Sequence, residues 1–132
     1  MEFKNEIGLI QRRMASSIAV TLRRLEILDA LNIQPGHHAL DIGCGGGHLL
    51  EEIAKAVGPE GKAYGLDTSE DQLKQARKRC SLYKNVFTIK GYANKISLEN
   101  NSCDSICSVQ TFEYIENVDE SIKELTRILK PS

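Results

Sequence analysis

Ala39-Leu40-Asp41-Ile42-Gly43-Cys44-Gly45-Gly46-Gly47-His48-Leu49-Leu50 reads as a short, mostly apolar tetrad, a glycine-rich turn and the start of a new apolar period. After the break at Pro35-Gly36, Ala39-Leu40-Asp41-Ile42 reads as a short buried strand. From His48 to Val57 the apolar residues Leu49, Leu50, Ile53, Ala54 and Val57 recur at helical steps. The stretch is therefore a strand, a glycine loop and a helix, the opening unit of an α/β fold.

Downstream the alternation continues. Gly58-Pro59-Glu60-Gly61 stops the helix, and Lys62 to Leu66 is the next strand. Ser69 followed by Gln72 forms a capping box that opens a helix from Glu70 to about Leu82. Val86 to Ile89 is a third strand, and Asp104 to Val109 a fourth. Asn117 with Glu120 is a second capping box, for a helix running to Leu129 that Pro131 ends. Upstream, Ile18, Leu22, Leu25 and Leu28 place one helix over Ile7–Leu31. Arg12, Arg13, Arg23 and Arg24 lie mostly off its apolar stripe, on a solvated face.

Strands joined through helices pair in parallel with right-handed crossovers. The expected architecture is α/β: a Rossmann-like doubly wound, mostly parallel sheet of about four strands in the order 3-2-1-4, preceded by an N-terminal helix. The expected organisation is one domain over residues 1–132, a helical segment at 1–35 and a βαβ core at 36–132. A chain of 132 residues allows one compact domain but not two.

Composition narrows the function. With 41% hydrophobic and 27% charged residues the chain is not a disordered scaffold. A net charge of −1 argues against a protein built mainly to grip nucleic-acid phosphates. No run of 18 apolar residues exists to span a membrane. Cys44, Cys80, Cys103 and Cys107 sit among apolar or glycine neighbours and are expected reduced, in a cytoplasmic protein. Neither Cys44 with His48 nor Cys103 with Cys107 is matched by a second pair at ligand spacing, so no metal is expected.

The glycine loop carries the chemistry. Glycines admit backbone angles closed to other residues and let a ligand approach the main chain. The dinucleotide fingerprint places its third glycine where this chain has His48; the extra glycine falls at Gly47 instead. Asp41, two residues before Gly43, would repel a pyrophosphate and welcome a cation. A ligand bearing an ammonium and a sulfonium suits that charge better than NAD does. Asp67 follows the second strand, twenty residues after Gly47, where a carboxylate accepts both hydroxyls of a ribose. The competing reading of Asp67 is a cap or turn residue ahead of Ser69. A phosphate-binding loop of the P-loop type is excluded, because no Gly-Lys-Ser/Thr follows the glycines.

LDIGCGGGH (40–48), GLDTS (65–69) and SCDSICSVQTFEYIENVDESIKELTRILKP (102–131) together resemble the class I S-adenosylmethionine-dependent methyltransferases. The likeness is greatest to the small-molecule branch that includes the ubiquinone and menaquinone biosynthesis enzymes, and it covers about residues 36–131. It implies S-adenosyl-L-methionine as cofactor and a small-molecule methyl acceptor, with neither nucleic acid nor membrane as partner. Gly43, Cys44, Gly45 and Gly47 would then lie along the methionine part, with Asp41 organising its ammonium. Asp67 would take the ribose hydroxyls, Leu66 and Thr68 would flank the nucleoside, and Ala93 and Asn94 would lie beside the adenine. Val109 and Gln110 would face the reacting centre, where the candidates for a base are His48, Glu113 and Tyr114.

Two readings of other classes compete: a non-catalytic cofactor-binding fragment or subunit, and an NAD-linked oxidoreductase of similar topology. Tyr92 stands where relatives usually carry an aspartate for the adenine amino group, and Ser97 where proline is common. Relatives also continue past the position of Pro131, so the chain is expected to be a truncated form. Its fourth strand would then be an exposed edge disposed to self-association.

Overall fold

The computed structural model describes residues 24, 26–108 and 117–131. The chain divides into two compact units, residues 1–30 and 31–132. In the first, the described residues are helical. Most of the helix expected over Ile7–Leu31, including Arg12, Arg13 and Arg23, lies outside the described residues.

The second unit runs β1 (His38–Ile42), α1 (His48–Val57), β2 (Lys62–Asp67), α2 (Glu70–Arg79), β3 (Val86–Lys90), β4 (Ser105–Ser108) and α3 (Val118–Ile128). The strands form one sheet in the order β3-β2-β1-β4, as the alternation of elements led us to expect. Every pairing is parallel, with Asp41 opposite Gly65 on one side and Cys107 on the other, and Gly65 opposite Thr88. Strand side chains alternate between faces. Leu40, Ile42 and Leu66 point into a core shared with Ala93, Ile96, Cys103 and Ile128 of α3. The opposite face, carrying Ala39, Asp41, Ala63 and Gly65, receives Leu50 of α1 against Gly65. Helices therefore cover both faces, and burial of Leu50 and Ile53, both 0% exposed, contributes about 1.5–3 kcal/mol each.

Four local expectations need correction. Helix α2 ends at Arg79, not near Leu82, which is 90% exposed. Cys80 is the last residue of that region with a core to reach, so the apolar signal at Leu82 has nothing to pack on. The Ser69 cap forms as expected, its side chain accepting from Gln72 N. The second capping box does not form: Asn117 makes no side-chain cap, and Glu120 accepts instead from Asn94 Nδ2. The fourth strand starts at Ser105, because Asp104 turns its carboxylate back to accept from His38 N at 2.7 Å. The first strand opens at His38, one residue before the Ala39 with which the expected strand begins.

Candidate functional site

Glycine-loop amides are spent inside the protein. Gly43 N and Cys44 N both donate to Leu66 O, at 2.7 and 3.0 Å, and Gly47 N donates to Cys44 O at 3.1 Å. Gly45 N donates to Asp67 Oδ2 at 2.9 Å. The other oxygen of Asp67 accepts from Ser69 N, also at 2.9 Å. The loop is thus folded back over the end of β2, with Gly43, Gly45 and Gly47 at φ of 71°, 54° and 88°. These left-handed angles are what require glycine. The amides of Gly43, Cys44, Gly45 and Gly47 point at carbonyl or carboxylate oxygens, so they do not form the outward donor nest that a pyrophosphate needs. Of the two sequence readings of Asp67, the structure shows the turn contact with Ser69, and it places the residue at the strand end beside the loop.

Asp41 lies beneath, 2% exposed. The Cys107 thiol donates to it, 3.7 Å from Oδ1. Burial raises the Asp41 carboxyl to about 7; the Cys107 contact lowers it somewhat, and the negative charge of Asp67 raises it again. The two carboxylates are therefore close enough to repel each other. The Cys44 side chain also turns inward: a Cβ on Gly65 would sit 2.9 Å from its sulfur and 2.7 Å from Leu50 Cδ2. Only the backbone of Cys44 is left to face a ligand. Burial, then the charges of Asp41 and Asp67, push its thiol up to about 12.

The segment after β3 forms the next wall. Ala93 is 6% exposed, and Asn94 donates to Glu120 of α3. Behind it stands a brace that the reading of the sequence missed. Arg127 donates to Leu98 O at 2.8 Å, to Asn100 Oδ1 at 2.9 Å and to Ile96 O at 3.0 Å, while Glu124 pairs with Arg127 and accepts from Ile96 N. An arginine and an acid three residues earlier on one helix was the available signal. Leu66 is 2% exposed and faces the core, while Thr68 and His48 are exposed at the loop ends. Tyr92 is 70% exposed. Ser108, at the carboxyl end of β4 beside Ile42, has a buried hydroxyl without a hydrogen-bond partner among the described residues, and the sequence reading did not single it out. Val109, Gln110, Glu113 and Tyr114 lie outside the described residues. Among the described residues no group of three or more His, Cys, Asp and Glu is placed to hold a metal, and no helix is long and apolar enough to cross a membrane.

Fold and site together define an open α/β sheet whose strand ends offer acidic side chains and a closed-in glycine loop. Residues 33–132 match the family model described as a methyltransferase domain. The chain belongs to the class I S-adenosylmethionine-dependent methyltransferases. It is 34% identical over 110 residues to a demethylmenaquinone methyltransferase of Geobacillus stearothermophilus, covering 82% of this chain and 47% of that protein. It is 33% identical over 119 residues to a 37.1 kDa protein of transposon TN4556 from Streptomyces fradiae, covering 90% and 34%. Among solved structures it is similar to an S-adenosylmethionine-dependent methyltransferase from Aquifex aeolicus, with a TM-score of 0.75 and 32% identity, covering 82% of this chain and 58% of that one. The chain thus spans between a third and a half of the two curated relatives named here. The family match replaces the oxidoreductase reading.

Proposed function

We propose that the protein binds S-adenosyl-L-methionine across the carboxyl ends of β1 and β2 and transfers its methyl group to a small-molecule acceptor. The observation that carries this is Asp67: a carboxylate at the tip of β2, hydrogen-bonded to the glycine loop, with oxygen lone pairs left for the hydroxyls of a ribose. The inward-turned loop amides support a cofactor without a pyrophosphate. Asp41 acts on the cationic amino-acid end from beneath, through its field rather than by open contact, since it is buried. Backbone of Gly43, Cys44, Gly45 and Gly47 lies along that end, while Thr68, Ala93 and Asn94 border the nucleoside and Val109 and Gln110 the reacting centre.

When bound, the cofactor supplies an activated methyl on sulfonium. The chain's own part is to orient it, exclude water and bring the acceptor into line. A base is needed only where the acceptor must lose a proton, and His48, Glu113 and Tyr114 are the candidates in this chain. An aromatic quinol of the demethylmenaquinone type is the first acceptor to try. The proposal extends to a cytoplasmic setting, to nucleic acid having no part as acceptor, and to self-association along β4, whose outer edge has no strand partner among the described residues.

Calorimetry with S-adenosylhomocysteine tests the cofactor reading, and labelled methyl transfer to a quinol panel tests the activity. Saturable binding without transfer would favour the non-catalytic module. Binding of NADH in place of S-adenosylhomocysteine would remove the proposal.

A further inference from the structure

We infer that Asp67 is a positioning residue for the glycine loop as well as a ribose acceptor, so that one carboxylate sets both the loop's shape and the nucleoside's seat. The ribose half of this rests on the function proposed above; the loop half does not. Three hydrogen bonds fold the loop over the end of β2: Gly43 N and Cys44 N to Leu66 O, and Gly45 N to Asp67 Oδ2. Two of the three use a backbone carbonyl as acceptor. The third alone uses a side chain, and it fixes the middle glycine, which sits at a φ of 54°. Oδ1, bonded to Ser69 N, anchors the same carboxylate to the turn that caps α2 through Ser69 and Gln72. Asp67 thus ties Gly45 to the start of α2 by two charge-assisted bonds 2.9 Å long. An ionised carboxylate has about four lone-pair sites. Two serve the backbone, and two remain for a diol, so the roles do not compete.

The test compares the full chain with Asp67→Ala and Asp67→Asn in two measurements. Amide hydrogen exchange without added ligand is followed at Gly45 and, as a reference, at Ile53 in α1. Affinity is measured for S-adenosylhomocysteine and for its 2′,3′-dideoxy analogue, which has no diol for Asp67 to accept. Positioning predicts that Gly45 exchanges about ten- to a hundredfold faster in Asp67→Ala, the worth of one hydrogen bond to a charged group, while Ile53 moves less than about twofold. It also predicts that the variant loses affinity for the dideoxy analogue by fivefold or more, on the order of 1 kcal/mol. A residue serving the ribose alone would leave both quantities unchanged, and that result overturns the inference. If Asp67→Ala loses protection throughout the chain, the near-isosteric Asp67→Asn carries the comparison at Gly45 and Ser69 together, since its single acceptor oxygen can serve only one of the two amides that the carboxylate holds. If neither ligand binds the unmodified chain, the proposed function fails, while exchange at Gly45 still decides the positioning role.

Discussion

Across the β1–β4 pairing the Cys107 thiol meets the Asp41 carboxylate, with sulfur 3.7 Å from Oδ1, and no basic side chain joins them among the described contacts. Asp41 carries a folded-state pKa raised to about 7 from 3.8, chiefly by burial. The folded state therefore holds this proton more tightly than the unfolded chain does. The stability that the proton confers is fully present below about pH 4 and is lost as pH rises through about 7. Asp41→Asn should remove this slope, gaining on the unmodified chain by on the order of 4 kcal/mol between pH 4 and pH 8. Cys107→Ala, which deletes the contact that lowers the Asp41 pKa, should carry the same slope to higher pH and so enlarge the total loss. Urea denaturation at several pH values reads both, and a pH-independent difference between Asp41→Asn and the parent would refute the assignment.

Gly47 and Ala76 touch so closely that no larger residue fits the loop's last position. A Cβ on Gly47 would stand 2.8 Å from Ala76 Cα and 2.9 Å from its Cβ, at a backbone φ of 88°. Gly47→Ala combines a left-handed penalty of about 1–2 kcal/mol with an overpacking cost of about 1–3 kcal/mol. Gly46→Ala is the control: the nearest atom to its Cβ would be Gln75 Oε1 at 3.5 Å, the end of a flexible side chain. Thermal melts should show a large loss for the first and little change for the second. Equal melting temperatures would mean that α2 does not hold the loop.

Removing Arg127 should loosen the segment after β3 without unfolding the sheet. Its guanidinium holds the carbonyls of Ile96 and Leu98 together with Glu124. In Arg127→Ala the amides of Lys95 and Leu98 should exchange faster while those of β1 keep their protection. Arg127→Lys, a point charge without the planar fork, should recover only part of it. Uniform acceleration across the sheet would assign Arg127 to global stability instead.

The thiols should be silent in the native state. All four cysteines are free and buried, and burial raises the pKa of each. The thiolate is the reactive form. Alkylation at pH 8 should therefore wait for unfolding and run at the same rate at Cys44 as at Cys103. Rapid labelling of Cys44 alone would show that the loop opens by itself.

How much of this was legible in the sequence differs from residue to residue. The strand–glycine–helix stretch announced β1 and α1 because its signals are local: a mostly apolar tetrad, a breaker and a helical period. Asp67 was found by spacing alone, yet its bond to Gly45 spans 22 residues and belongs to the folded chain. Gly47 was read as a place for a ligand, and the structure gives it a second neighbour in Ala76, which no local pattern encodes. The Asn117 capping box failed for the same reason in reverse: Glu120 has a partner in Asn94, 26 residues upstream, that a four-residue motif does not contain. Cys44 looked like a loop residue, but the missing side chain at Gly65 lets its sulfur drop into the sheet.

The pairing register carries a consequence for how the chain acquires its shape during synthesis. Asp41 sits opposite Gly65, and Gly65 opposite Thr88, so each of these pairings closes over about two dozen residues, whereas Asp41 and Cys107 are 66 apart. Short closures form early and distant ones late. On the ribosome, the half that holds the glycine loop and Asp67 can take form while β4 and α3 are still inside the exit tunnel. The pocket would then have a floor before it has its far wall.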